Sequence, residues 1–127
     1  MVPADSPYKT FKELVATIDR SDGLVYIEEG KCGHSVRACL ALTVTVAGPY
    51  RILRILIDPR GPQRRLISSI GHELRHAVEV LGDPTIRSNA AVFHFALRQG
   101  PTARERFETT DAIQAGLDVC AELGAGK

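Results

Sequence analysis

The 127-residue sequence lacks an excess of either charge, with 16 Lys and Arg against 15 Asp and Glu, and no Lys/Arg run is interleaved with aromatics. That removes the basic footprint of a nucleic-acid or anionic-membrane surface, so neither partner is expected. Long apolar runs are missing too; the longest are roughly half of what spans a bilayer. The opening "MVPADSPYKTF" has no basic stretch leading into an apolar one, the pattern of a secretory signal. A soluble protein is expected, either cytoplasmic or the mature form of an exported one. Repeats, low-complexity segments and long linkers are also lacking. The expectation is one domain over 1–127, long enough to bury a core without metal or disulfide staples.

Cysteine is scarce, and its three copies, Cys32, Cys39 and Cys120, show none of the close pairing of a zinc ribbon. Cys32 and Cys39 bracket "GHSVRA" and can bridge in an oxidising compartment, but two small buried thiols are the simpler expectation. Cys120 lies in an apolar helical stretch and reads as core.

What remains is a pattern of elements. "DSPYKTFKELVATIDRSDG" reads as an amphipathic helix with Ser6 as N-cap, Pro7 as first helical residue and Gly23 beyond its end. "LVYIEE" reads as a strand, and "RACLALTVTV", "AGPY" and "RILRILID" as a hairpin closed by a Gly-Pro turn. Pro62 starts a helix that runs to Gly82, a third helix covers "IRSNAAVFHFALRQ", and a fourth runs from about Ala103 to Leu123. The fold class is therefore α+β, a small three-stranded, mainly antiparallel sheet packed with about four helices.

One stretch carries chemistry: "LISSIGHELRHAVEVLG", residues 66–82. At 100° per residue, Leu66, Ile70, Leu74, Ala77, Val78 and Leu81 share one side of the helix. Ser69, His72, Glu73, His76 and Glu79 fall on the other, away from the core. Histidines four apart sit one turn apart on one face, within reach of one ion, and the glutamate beside the first projects where water on that ion would stand. The spacing points to zinc.

The segment "GHELRHAVEV" resembles the active-site helix of the zincin metallopeptidases. Glu79 and Gly82 stand where the metzincin branch has glycine and a third histidine, so the likeness is to the gluzincin branch. It covers about half the chain, from "RILRILID" to the last helix, and implies a minimal zincin. In gluzincins a glutamate from a later helix completes the ligand set, with an acidic residue one turn further on. "RERFETTDAIQAG" offers Glu108 as that ligand and Asp111 as an outer carboxylate on an imidazole N–H, at a spacing of three where the common pattern has four. Glu105, Glu79 and Asp111 are the competing ligands. Glu79 is disfavoured because the helix rises about 10 Å between it and His72. Ala112 and Ala115 favour Glu108, since small residues on its face let the last helix approach the metal helix.

The resemblance implies peptide hydrolysis of a peptide or protein substrate. His72, His76 and Glu108 would hold Zn(2+), and Glu73 would take a proton from the activated water. "YRILRILID" is the candidate edge strand for an extended substrate, with Leu53, Ile55 and Ile57 towards the helices and Arg51 and Arg54 guarding the edge. For an oxyanion donor, His94, Tyr50, Arg104 and Arg106 are available, each also readable as structural; His94 reads as packing and His34 as a loop residue. Two other classes stay open: a zinc-binding domain of zincin fold that holds a protein partner without cutting it, and a metal-free scaffold. Oligomeric state and cleavage specificity are not readable.

Overall fold

Alternation along "YRILRILI" sends Arg51, Leu53, Ile55 and Ile57 to one face, and Leu53 and Ile55 are fully buried there. This strand is the middle of the sheet. Among the residues that the computed structural model describes, 8–32, 36–99 and 108–125, the chain is α+β, with four helices and a four-stranded mixed sheet. The elements are α1 (Lys9–Asp19), β1 (Gly23–Glu29), β2 (Ala38–Leu40), β3 (Thr45–Ala47), β4 (Tyr50–Ile57), α2 (Gln63–Leu81), α3 (Asn89–Arg98) and α4 (Thr110–Ala125). Among the described residues no helix is long and apolar enough to cross a membrane. Ser6, Pro7, His34, Arg104, Glu105, Arg106 and the anticipated helix start at Ala103 lie outside the described residues.

The sheet departs from the expected three-stranded, mainly antiparallel form. β1 pairs with β4 in parallel over seven residues, Gly23↔Arg51 to Glu29↔Ile57, while β2 and β3 pair with β4 antiparallel on its other side. The anticipated long strand through "RACLALTVTV" is split. Leu40 stands opposite Ile55 and Thr45 opposite Ile52, so residues 41–44 face only Leu53 and Arg54. Val44 there gives its N–H to Asn89 Oδ1 of α3 at 2.9 Å instead of to β4, and its side chain joins the core. Because β4 is paired on both sides, it is not an edge strand; β1 and β2, at the two ends of the sheet order, are.

Arg51 corrects a second expectation. Sharing the parity of Leu53 and Ile55, it is 1% exposed rather than displayed at an edge. Its guanidinium donates to both oxygens of Asp22 and to the carbonyls of Leu81, Asp83 and Ile86, at 2.7–3.1 Å. It thus ties the start of β1 to the last turn of α2, whose end carbonyls have no helical partners. Arg54, on the opposite face, pairs with Glu28 at 3.0 Å. The Arg51 hydrogen bond, with its charge, holds the Asp22 pKa below the ordinary 3.8 against a smaller opposing effect of burial. A carboxylate depressed in this way contributes stability above its unfolded pKa and loses it as pH falls through the folded value. Acid unfolding followed by circular dichroism should therefore show the parent losing stability below about pH 4, with a flatter profile for Asp22→Asn.

Cys32 and Cys39 are joined, Cα–Cα 5.8 Å, not separate thiols. β2 sets Cys39 opposite Leu56, and the Sγ of Cys32 lies 3.5 Å from the Leu56 carbonyl, so the chain crossing from β1 to β2 brings the two together. Cys120 is exposed rather than core, because α4 buries Ala112, Ala115 and Val119 and Cys120 falls beside that stripe. His94, anticipated as packed, is also exposed; α3 buries Val92 and Ala96 instead.

Candidate metal centre

α2 has two working faces. Leu74, Ala77 and Leu81 enter the core with Leu53 and Ile55, as the apolar stripe requires. The opposite, polar face is not solvated: His76 is 2% exposed and the Glu79 side chain 12%. α4 lies along that face. A Cβ on Gly71 would meet Val119 Cγ2 at 2.7 Å, and one on Gly116 would meet His72 Cβ at 3.3 Å. Ser68 Oγ donates to the Gly116 carbonyl at 2.7 Å. A glycine on each helix permits this approach, and it buries a histidine that nonetheless points away from the hydrophobic core.

The two imidazoles, with ring centroids 5.0 Å apart, converge on one atom. Glu108 Oε1 is 2.8 Å from His72 Nε2 and 3.1 Å from His76 Nε2, across 36 and 32 residues of sequence. Glu108 lies two residues before α4 rather than within a helix. On its other ring nitrogen, His76 Nδ1 is 3.0 Å from Glu79 Oε1. Donating Nδ1–H to Glu79 leaves the Nε2 lone pair facing the Glu108 carboxylate, a repulsive pairing unless a positive charge lies between them. Burial works against charging His76, but the Glu79 hydrogen bond and the charges of Glu73, Glu79 and Glu108 outweigh it and raise its pKa. Glu79 is the converse: burial opposes its charge, yet hydrogen bonds from His76 and Thr109 and the charges of His76 and Arg75 hold its pKa down.

A second carboxylate stands beside the pair. Glu73 Oε1 accepts the Leu40 N–H of β2 at 2.9 Å, and Oε2 is 3.9 Å from His72 Nε2. His72, Glu73 and His76 offer ligand atoms within 4.8 Å of one another, so Glu73 is itself near enough to compete for an ion. One oxygen of Glu108 meets both Nε2 atoms, whereas Glu73 is held by the strand through the Leu40 N–H. Burial raises the Glu73 pKa, opposed by His76, His72 and the Leu40 N–H and reinforced by Glu108. A shift in that direction suits a proton acceptor.

Asp111 is not at the imidazoles; it meets Arg75 Nη2 at 3.5 Å with its side chain 74% exposed. The outer-carboxylate position anticipated for it is occupied by Glu79. Sequence reasoning missed Thr109 altogether, although "ETTDAIQ" has an N-cap pattern that marks a helix start there. Metal affinity measured by chelator competition should therefore fall most for Glu108→Ala, by about 10- to 100-fold for Glu79→Ala, and little for Asp111→Ala.

Two imidazole nitrogens and a carboxylate oxygen match the ligand types of catalytic zinc. Tetrahedral bonds of 2.0–2.2 Å place ligand atoms about 3.3–3.5 Å apart, a few tenths of an ångström beyond the 2.8 and 3.1 Å found here. Small side-chain rotations cover that difference, so the residues present fit the ion. No protein-family model, curated protein or solved structure matches the chain.

Proposed function

We propose that the chain is a small zinc-dependent peptidase of gluzincin type. The observation that carries this reading is the meeting of His72 and His76 Nε2 at one oxygen of Glu108, beside a buried carboxylate, Glu73, with raised proton affinity. When bound, zinc would supply Lewis acidity that polarises a carbonyl and acidifies water. His72, His76 and Glu108 would hold the ion, and Glu79 would keep the proton of His76 on Nδ1. Glu73 has Oε1 occupied by the Leu40 N–H, so Oε2 is the atom that takes a proton from water and passes it to the leaving amine. A peptide is the substrate class because β2, the edge strand next to the site, adjoins Glu73 through that same Leu40 bond.

The second reading, a zinc domain that binds a protein without cutting it, is favoured by the lack of an evident oxyanion donor among the described residues. Tyr50 is five residues along β4 from Ile55, the partner of Leu40, or about 16 Å of strand. The cation beside the site, Arg75, is directed at Glu79 and Asp111. Casein digestion by the purified protein, with and without chelator and after zinc is restored, separates the two. The peptidase reading expects cleavage that stops with chelator and returns with zinc; zinc-loaded protein that cuts no peptide in a diverse library supports the binding domain.

A further inference from the structure

We infer that Thr109 is the positioning residue of the metal site, closing a ring of polar contacts around the His76 imidazole. Each polar group of Thr109 is engaged. Its hydroxyl donates to Glu79 Oε2 at 2.6 Å and accepts the Ala112 N–H at 3.1 Å. Its own N–H donates to Glu108 Oε1 at 3.1 Å, and its carbonyl accepts the Ile113 N–H at 3.1 Å. The ring runs by hydrogen bonds from His76 Nδ1 to Glu79 and through Thr109 to Glu108, whose Oε1 faces His76 Nε2 at 3.1 Å across the candidate ion position. One residue thus reaches both nitrogens of one imidazole, through a different carboxylate on each side.

The consequences follow from donor and acceptor roles. A threonine hydroxyl has one proton; donated to Oε2, it fixes the rotation of the Glu79 carboxylate and leaves Oε1 for His76 Nδ1–H. With Nδ1 as donor, the Nε2 lone pair is directed at the ligand position. The Thr109 N–H fixes Glu108 Oε1 at the point both imidazoles face. Meanwhile the hydroxyl oxygen caps the first turn of α4, the helix that covers the site through Gly116 and Val119. Winding of that first turn and alignment of the ligands are therefore one event.

This inference rests on the metal reading above, and a helix cap alone is the competing role for Thr109. Three chains separate them. Thr109→Ser keeps both cap and donor. Thr109→Gly keeps the backbone N–H and is tolerated at an N-cap, but has no hydroxyl. Zinc affinity by chelator competition is read alongside α4 helicity by circular dichroism, with exchange of the His76 Nδ1 proton followed by NMR in the zinc-loaded chains. At parental helicity, Thr109→Gly should bind zinc about 10- to 100-fold more weakly with a faster-exchanging Nδ1 proton, and Thr109→Ser should match the parent on both. If the parent binds zinc and Thr109→Gly binds it equally well, Thr109 is only a cap and the inference is overturned. If Thr109→Gly loses helicity, Thr109→Ala with Glu79→Gln decides by additivity: combined losses equal to the larger single loss support the ring, and independent losses overturn it. A parent that binds no zinc removes the metal reading itself, and the positioning role with it.

Discussion

Glu73→Gln is expected to retain zinc while losing roughly 10²- to 10⁴-fold in peptide hydrolysis, the range for removal of a general base. The substitution is nearly isosteric, and a glutamine Oε1 still accepts the Leu40 N–H that orients Glu73 at 2.9 Å. What it removes is the ability of the second oxygen to take a proton. Since both nitrogens His72 and His76 present to Glu108 are untouched, the metal should stay. Turnover on casein together with zinc content of the same preparation gives the answer. Cleavage undiminished at full zinc occupancy would show that another group takes the proton.

Arg51→Leu should cost about 3–5 kcal/mol of folding stability, on the order of 1–3 kcal/mol for each buried carbonyl left without its donor, and lower the melting temperature on the order of 10–20 °C. Leucine fills part of the volume but leaves Asp22 with Arg87, 3.9 Å away, in place of its closer partner and the carbonyls of Leu81, Asp83 and Ile86 without their donor. The effect reaches the site because α2 carries His72, Glu73 and His76 and its C-terminal turn is what Arg51 fastens. Asp22→Asn, which retains an acceptor, should cost less. Thermal unfolding of the two variants ranks them, and an Arg51→Leu chain as stable as the parent would mean that these five acceptors are satisfied some other way.

The site was partly legible because its first half is local. His72, Glu73 and His76 lie on one helix, where 3.6 residues per turn fix their relation before any tertiary contact forms. Glu108 was proposed through family resemblance and the small residues Ala112 and Ala115, both of which are buried. The rest depends on packing across long sequence separations. Burial of His76 comes from α4, and its signal in the sequence was the pair of mid-helix glycines, Gly71 and Gly116. Glu79 looked like a rim charge because the helical rise keeps it from sharing an ion with His72; the same rise lets it bond the far nitrogen of His76. Arg51 was misread through its charge, although its strand parity matched Leu53 and Ile55. The parallel pairing of β1 with β4 had no local signature, since hairpin turns mark only antiparallel neighbours.

His72, His76 and Glu108 are proposed to form a zinc site. Elemental analysis of the purified chain beside His76→Ala tests it most directly. About one zinc per parent chain is expected, with loss of nearly all of it in the variant, because two remaining protein ligands hold zinc too weakly to survive purification. Equal zinc in both chains, or none in the parent after zinc is supplied, would contradict it.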